Sequence, residues 1–279
     1  MAEVINSTAE MSLIIPEVWS QKYYDVLLAE LPFNSLVTRD YEGEISALGD
    51  TVHISTIGEF SEGDEFPEVD AVEADPINLS QQDLVINKRV AKDFIVTNQA
   101  KLQSLPFVEK LKQLAIYSIQ KKIQAIIIAA TIPSAAPDHS INAATPGTFD
   151  LVDILTAKEL LDNQNVPMSD RHMVLGAGPL NDLFRITGFT SSDFVASGSP
   201  LQSGQLPAQL AGFMPHFTTV VANTVYAFHT SYFTMASQQG MQVKEYDLGH
   251  TGKRQSRVNC DTLFGVKQLD GKRVVTVTV

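Results

Sequence analysis

The 279-residue chain lacks the residue sets from which the commonest frameworks and metal sites of proteins are built. Its single cysteine, Cys260, excludes an intrachain disulfide framework and a thiolate metal site, and it suits a reducing compartment. Its six histidines are not spaced as metal ligands. The acidic stretch that follows residue 58 lacks the alternating oxygen ligands of a calcium-binding loop. The sequence therefore predicts neither a cofactor nor a bound metal.

Positive charge and long apolar runs are also scarce. Twenty Lys and Arg residues face 32 Asp and Glu residues, which gives a net charge of -12 and argues against a sequence-specific reader of nucleic acid. This balance does not exclude a protein that encloses nucleic acid. The apolar run over residues 123–132 is shorter than the roughly 20 residues that span a membrane, and no signal-peptide pattern begins the chain. We expect a soluble, intracellular protein.

Motifs of catalysis are missing as well. Gly176 and Gly178 stand between a predicted strand and a predicted helix, but neither a dinucleotide-binding nor a phosphate-loop spacing follows, so a tight turn is the better interpretation. No Gly-x-Ser-x-Gly element occurs, and His139 beside Asp138 is expected to form a solvated pair. The sequence thus predicts a protein that is not an enzyme.

The most regular feature of the chain is a helix predicted over residues 104–132. Its apolar residues recur at steps of three and four: Val108, Leu111, Ala115, Ile119, Ile123, Ile126 and Ala130. Charged and amide side chains, Gln124 among them, fall largely on the other faces, and Pro133 ends the helix. From Phe107 to Thr131, at about 1.5 Å per residue, the helix is roughly 37 Å long, enough to cross a domain.

Two segments before this helix are expected to extend from the body. Residues 1–12 form a loose arm, and a short helix from Pro16 carries Trp19 and Tyr23, which pack either on their own domain or on a neighbouring subunit. Residues 51–57 alternate as a strand, and residues 84–97 are predicted to be its return strand. The excursion between them is strongly acidic, so we expect it to project into solvent or towards a cationic neighbour.

After the long helix, a connector rich in Pro, Ala, Ser and Thr marks the expected domain boundary. A helix over residues 150–167, a buried strand near residues 172–175 and a helix from Pro179 to Phe184 predict a mixed α/β lobe. Residues 216–230 and 241–248 are rich in β-forming residues. Asp270-Gly271 lies between two such runs and predicts a terminal β-hairpin.

The order of these segments resembles the major capsid proteins of tailed bacteriophages, which have the Hong Kong 97 fold. The stretches that carry the resemblance are IIPEVWSQKYYDVLLAELPFNSLVTRDYEGEI (14–45), GDTVHI (49–54), AKELLDNQNVPMSDRHMVLGAGPLNDLF (157–184), VYAFHTSYFTMA (225–236) and FGVKQLDGKRVVTVTV (264–279). The resemblance implies an α+β fold with an N-terminal arm, an extended β-hairpin loop, a long spine helix, a peripheral domain and an axial domain.

Mapped onto this chain, the resemblance divides it into five parts: arm 1–41, extended loop 42–90, first part of the peripheral domain 91–146 with the spine at 104–132, axial domain 147–225, and second part of the peripheral domain 226–279. The arm is too short to be a removable scaffolding segment, so a separate scaffolding protein is implied. No lysine occurs between Lys22 and Lys88, which argues against a lysine crosslink at the loop tip.

By function, the resemblance implies a structural subunit that self-assembles into hexamers and pentamers of an icosahedral shell around double-stranded DNA. A portal protein and a cement or decoration protein are further implied partners, with no membrane. The implied location is the virion, after synthesis in the bacterial host cytoplasm. Two alternatives stay open: an encapsulin-type nanocompartment shell subunit, and a soluble enzyme that uses the Ser/Gly-rich loop around residues 188–207.

Contacts between subunits are expected from the arm, the acidic loop and basic patches on the body. The arm and the loop are expected to find their partners only on other copies of the chain. The candidate contact residues are Trp19, Tyr23, Glu62, Asp64, Glu65, Phe66, Glu68, Asp70, Lys88, Arg89, Lys92, Lys253, Arg254 and Arg257.

Overall fold

A computed structural model describes residues 27–43, 49–58, 60, 62, 65, 76–103, 105–134, 137–186, 207, 209–249 and 254–279. Its helices are α1 Phe33–Leu36, α2 Asn98–Gln103, α3 Leu105–Ala130, α4 Leu151–Asn163 and α5 Ala177–Leu183. Its strands are β1 Thr51–Ile57, β2 Leu79–Val85, β3 Lys88–Thr97, β4 Ser140–Asn142, β5 Arg171–Leu175, β6 Met214–Phe217, β7 Thr224–His229, β8 Phe233–Asp247, β9 Gln255–Gln268 and β10 Val274–Thr278.

The strands form three sheets. β1 and β2 form an antiparallel hairpin, β3-β9-β8 form an antiparallel sheet of three strands, and β4-β10-β7-β5-β6 form a mixed sheet of five strands. In the mixed sheet β4 is parallel to β10 and β6 is parallel to β5, while β7 is antiparallel to both β10 and β5. Segments distant in sequence therefore meet in each of the two larger sheets.

The five-stranded sheet separates two hydrophobic cores. Val174 and Phe228 point into one core, which includes Ile119 and Ile127 of α3. Met173 and Ala227 point into the other core, which includes buried residues of α4. β5 is buried at all five positions, as expected of a strand covered on both faces. Successive side chains of one strand therefore pack into two different cores, because they point to opposite faces of the sheet.

The predicted spine helix is confirmed as α3. Five of its apolar residues are buried: Val108, Ala115, Ile119, Ile123 and Ile127. Gln124, expected on a polar face, is fully buried, and its side-chain nitrogen and oxygen have no hydrogen-bond partner among the described residues. The buried surface is wider than the predicted stripe because α3 packs against α1 as well as against β3 and β9.

The prediction of one return strand over residues 84–97 is wrong. β1 pairs with β2, in a register that matches Thr51 with Val85, whereas β3 pairs with β9 in another sheet. The break lies at residues 86–87, where the Ile86 amide donates to the carbonyl of Asp50. Gly265 of β9 allows this crossing, since a Cβ atom there would lie 2.5 Å from the carbonyl oxygen of Val85.

The predicted terminal hairpin at Asp270-Gly271 is also wrong, because β9 and β10 belong to different sheets. Between them, Asp270 accepts a hydrogen bond from the Lys272 amide and begins a 3₁₀ turn over Gly271–Arg273. Gly271 is buried, and a Cβ atom there would lie 2.0 Å from Ser134 Oγ. The glycine permits close packing here rather than a hairpin turn.

The expected boundary between axial and peripheral domains, at residues 225 and 226, falls inside β7. β10, expected in the second part of the peripheral domain, pairs with β7 and β4 in the five-stranded sheet.

His139 lies immediately before β4. His139 is fully buried, with Nδ1 3.1 Å from the carbonyl oxygen of Val274, so the expected solvated pair with Asp138 is not formed.

Residues 29–38, here called the arm segment, pack on their own chain. Phe33 is fully buried against Tyr226 and Phe228, and the Ala29 amide donates to the Tyr117 hydroxyl. The Thr38 amide donates to the carbonyl of Phe233. The expectation that the first forty residues find partners only on other copies is therefore wrong for this segment. Trp19 and Tyr23 lie outside the described residues.

Candidate functional site

No group of three or more His, Cys, Asp or Glu side chains in the described part of the chain is placed to hold a metal ion. None of the helices described is both long and apolar enough to cross a membrane. Gly176 is a close-packing position, because a Cβ atom there would lie 2.3 Å from the carbonyl oxygen of Val221. The candidate functional surfaces are therefore sought on the exterior.

One face of the β1–β2 hairpin is buried, and the other is largely exposed among the described residues. Val52, Ile54 and Leu84 are buried in a small core with Ala236. The register places Thr51, His53, Ser55 and Ile57, with their partners on β2, on the opposite face. This second face, here called the outer hairpin face, is the first candidate surface for contact with other copies.

The centre of the outer hairpin face is polar. His53 Nδ1 lies 2.7 Å from Asp83 Oδ1, and Gln81 Nε2 donates to the same oxygen at 3.0 Å. Hydrogen bonds from Gln81 and then His53 hold the pKa of the Asp83 carboxyl below its ordinary value. These side chains satisfy one another and fix the two strands in register.

The distal end of the same face is apolar. Ile57 and Leu79 are direct cross-strand partners, and 70% and 71% of their surfaces are exposed. Phe60 and Ile77 nearby are exposed to a similar degree. Large apolar side chains concentrated on one exposed face indicate a binding surface more strongly than scattered ones do. One feature of the sequence could have indicated this surface. Ile57 occupies the same alternate positions of β1 as polar residues do, so it lies on their face of the strand.

The acidic contact candidates lie beyond this apolar end. Glu62 and Glu65 are exposed, whereas Asp64, Phe66, Glu68 and Asp70 lie outside the described residues. Where the side chains of these candidates meet another copy stays a prediction.

The basic candidates separate into paired and unpaired residues. On the outer face of the three-stranded sheet, Arg89 bonds Asp261 at 2.9 Å, and Arg257 bonds Asp93 through both Nε and Nη2. Lys88 and Lys92 lie four residues apart on the other face of β3. They are exposed and have no carboxylate partner among the described residues.

Arg254 is exposed at the start of β9, and Lys253 lies outside the described residues. The predicted basic clusters are thus not continuous, since Arg89 and Arg257 are already neutralised by their own chain. Sequence reasoning also missed Ile95 and Tyr246, exposed residues that flank Arg257 on the outer face of the three-stranded sheet.

Comparison with solved structures gives the same fold. A chain from a structure of Mycobacterium phage Che8 is 24% identical, with a TM-score of 0.77 over 94% of this chain and 96% of that one. A capsid structure of the cyanophage P-SCSP1u is 14% identical, with a TM-score of 0.75 over 96% and 94%. The mature capsid of bacteriophage PhiM1 is 10% identical, with a TM-score of 0.73 over 95% and 91%. The predicted capsid fold is confirmed.

A search of curated protein sequences gave no match. The family model of phage capsid proteins, however, matches residues 108–279, which contain most of α3 and all of the five-stranded sheet. This match covers more than half of the chain. The chain therefore belongs to the phage capsid protein family, as a structural subunit of the shell.

Proposed function

We propose that this subunit assembles into hexamers and pentamers of an icosahedral shell that encloses double-stranded DNA, and that it catalyses no reaction. The observation that carries the proposal is the outer hairpin face, whose apolar end is exposed among the residues that the structure describes. The opposite face of the same two strands is buried. A subunit of a shell needs such a surface, because its neighbours supply the other half of the contact.

Each contact of this kind contributes modestly. Burying a large aliphatic side chain contributes about 1.5–3 kcal/mol. Ile57 and Leu79 together therefore supply only a few kcal/mol per subunit, before the cost of fixing one copy against another. Summed over a closed shell, weak contacts of this size permit correction of errors during assembly and still give a stable particle.

Charged residues are proposed to set the register between copies. The acidic loop candidates, Glu62 to Asp70, would meet Lys88 and Lys92, or Lys253 and Arg254, on a neighbouring copy. Arg89 and Arg257 are less suited to this role because they already bind carboxylates of their own chain. Complementary charges of this type select orientation and partner more than they add affinity. Trp19 and Tyr23 are proposed as contacts of the arm.

The net charge of -12 supports an enclosing role, because an acidic protein does not bind the phosphate backbone of packaged DNA tightly. A separate scaffolding protein, a portal protein and a decoration protein are proposed partners, and the virion is the proposed location, after synthesis in the host cytoplasm. The alternative of an encapsulin-type compartment has no support from the family match.

The division into arm, extended loop, spine, peripheral domain and axial domain is also proposed. Two separate hydrophobic cores support two domains, one around α3 and one around α4. We assign β4 and β10 to the axial domain together with β5, since the three strands belong to one sheet.

The outer hairpin face can be tested by replacing Ile57 and Leu79 together with Lys. Both side chains are exposed, so the double variant should keep the circular dichroism and thermal midpoint of the wild-type subunit. Electron microscopy should show at least a tenfold loss of closed shells, because two charges would be desolvated at each contact.

The matched control is the double variant Ile57→Val, Leu79→Ile, which keeps the apolar surface and should assemble normally. Shells of the Lys variant at wild-type yield and stability would contradict the assignment of this face to the contact.

A further inference from the structure

Both edges of the three-stranded sheet are open in the described part of the chain. β9 lies in the centre, and β3 and β8 form the edges. At the base of β8, Thr38 pairs with Thr234 and covers the edge. From Met241 to Asp247, the edge of β8 has no further backbone hydrogen bond to described residues, and the same holds for β3. Two rows of peptide groups are therefore available for pairing with another strand.

The distal half of β8 extends beyond the cover that the body gives to β9. Every residue from Gln242 to Asp247 is exposed, whereas Val258 and Cys260 of β9 beside them are buried. On the face that packs towards α3, Lys101 of α2 bonds Glu245. This contact fixes the distal half of β8 from one side, so its outer face and its edge remain for a partner.

The two edges carry complementary side chains at matching levels of the sheet. Tyr246 of β8 and Ile95 of β3 are register partners of the same β9 residue, Arg257. Lys244 and Asp93 likewise share one partner two residues further along β9. All four lie on the outer face, where the surface of Tyr246 is 50% exposed and that of Ile95 is 57% exposed. Both edge strands are antiparallel to β9 and hence parallel to each other.

We propose that the β8 edge of one copy pairs with the β3 edge of a second copy as parallel strands, so that Tyr246 lies beside Ile95 and Lys244 beside Asp93. The inference rests on the proposed self-assembly and names one interface within it. The pairing joins two different edges, so a constant rotation from copy to copy can close it into a ring. Backbone hydrogen bonds supply the contact, and the side chains select the register.

The level register is the one that matches both pairs of side chains. A shift by one residue would place Tyr246 and Ile95 on opposite faces of the joined sheet. A shift by two residues would place Lys244 beside Ile95 or Ala91, and Asp93 would gain no cation. Asp93 already accepts hydrogen bonds from β9, but a carboxylate has lone pairs for Lys244 as well.

Disulfide trapping of the full-length subunit during assembly tests the pairing. In the variant Ile95→Cys, Tyr246→Cys, the two cysteines of one chain lie two strands apart, about 9.5 Å, too far for a disulfide within the chain. Across the proposed interface they are neighbours at about 5 Å. Both side chains are exposed, so the variant should fold, and Cys260 is fully buried. Mild oxidation should give covalent oligomers of up to five and six subunits on a non-reducing gel.

The second pair, Lys244→Cys with Asp93→Cys, should crosslink in the same way. The matched control is Ile95→Cys with Val243→Cys, whose second cysteine lies on the opposite face of β8 and should give at least tenfold less crosslinked product. Equal crosslinking in the control would overturn the pairing, and so would monomers alone in both test variants under conditions in which the wild type forms shells. Absence of shells from the wild type would instead contradict the proposed function, and this inference with it.

Discussion

The five-stranded sheet and the β1–β2 hairpin differ in how many of their faces the chain itself covers. The sheet has a hydrophobic core on each side, and its strands come from segments as distant as β4 and β10. The hairpin is made of two strands, and the described residues bury one of its faces. The comparison teaches that the two sheets are suited to different tasks: the five-stranded sheet stabilises the subunit, and the hairpin carries the surface that we propose for association.

The sharpest test of this comparison is one charge placed in each sheet. Val275 of β10 is fully buried, so Val275→Lys should prevent folding, because an unpaired buried charge costs several kcal/mol. The single variant Ile57→Lys on the hairpin should fold as the wild type does. Soluble yield and circular dichroism distinguish the two. A soluble Val275→Lys subunit with a wild-type thermal midpoint would contradict the conclusion that the five-stranded sheet stabilises the subunit.

A smaller effect is expected where the hairpin is joined to the body. In Gly265→Ala, the new methyl group would lie 2.5 Å from the carbonyl oxygen of Val85, and the backbone must shift. We expect a loss of about 1–3 kcal/mol in the free energy of unfolding by urea.

The control for this variant is Gly178→Ala on α5, where nothing lies within 4 Å of the added atom. It should be neutral or slightly stabilising, since Ala favours a helix over Gly. Equal free energies of unfolding for the two variants would show that the crossing at Gly265 is not tightly packed.

The smallest effect is expected on the outer face of the three-stranded sheet. Arg257→Ala removes the pair with Asp93, but both partners are partly exposed, so the free energy of unfolding should fall by about 0–1 kcal/mol. The difference from wild type should shrink in high salt. Arg254→Ala, which removes an exposed cation with no carboxylate partner among the described residues, is the matched control and should have no effect. A loss above 2 kcal/mol for Arg257→Ala would show that this face supports the fold as a core does.

Several elements could be predicted from the sequence because local patterns decide them. Hydrophobic periodicity and helix-ending residues such as proline predicted four elements that the structure contains: α3, β1, α4 and β5. α4 begins after Asp150, whose amide donates to the Asp153 carboxylate in a capping box. Of the candidate contact residues, those on β3 and β9 are located by the structure, but their partners on other copies stay predictions.

The errors all concern which segments meet. The β-rich run after Asp270-Gly271 predicts a hairpin from local sequence alone. In the structure, β10 lies between β4 and β7, where its valine side chains are buried. His139 and Gln124 are polar in sequence and buried in the fold. Such residues cannot be assigned from periodicity, because burial depends on elements that pack from elsewhere in the chain.

The sequence by itself determined the type and extent of the long helix, the scarcity of metal and thiolate ligands, the acidic charge and the resemblance to a capsid subunit. Only the tertiary structure decided which face of the hairpin is exposed, which cations are already paired, and that His172 and His216 meet on the five-stranded sheet. The physical reason is that period and propensity act over a few neighbouring residues. Strand pairing and the burial of polar groups are instead free-energy differences of the whole chain.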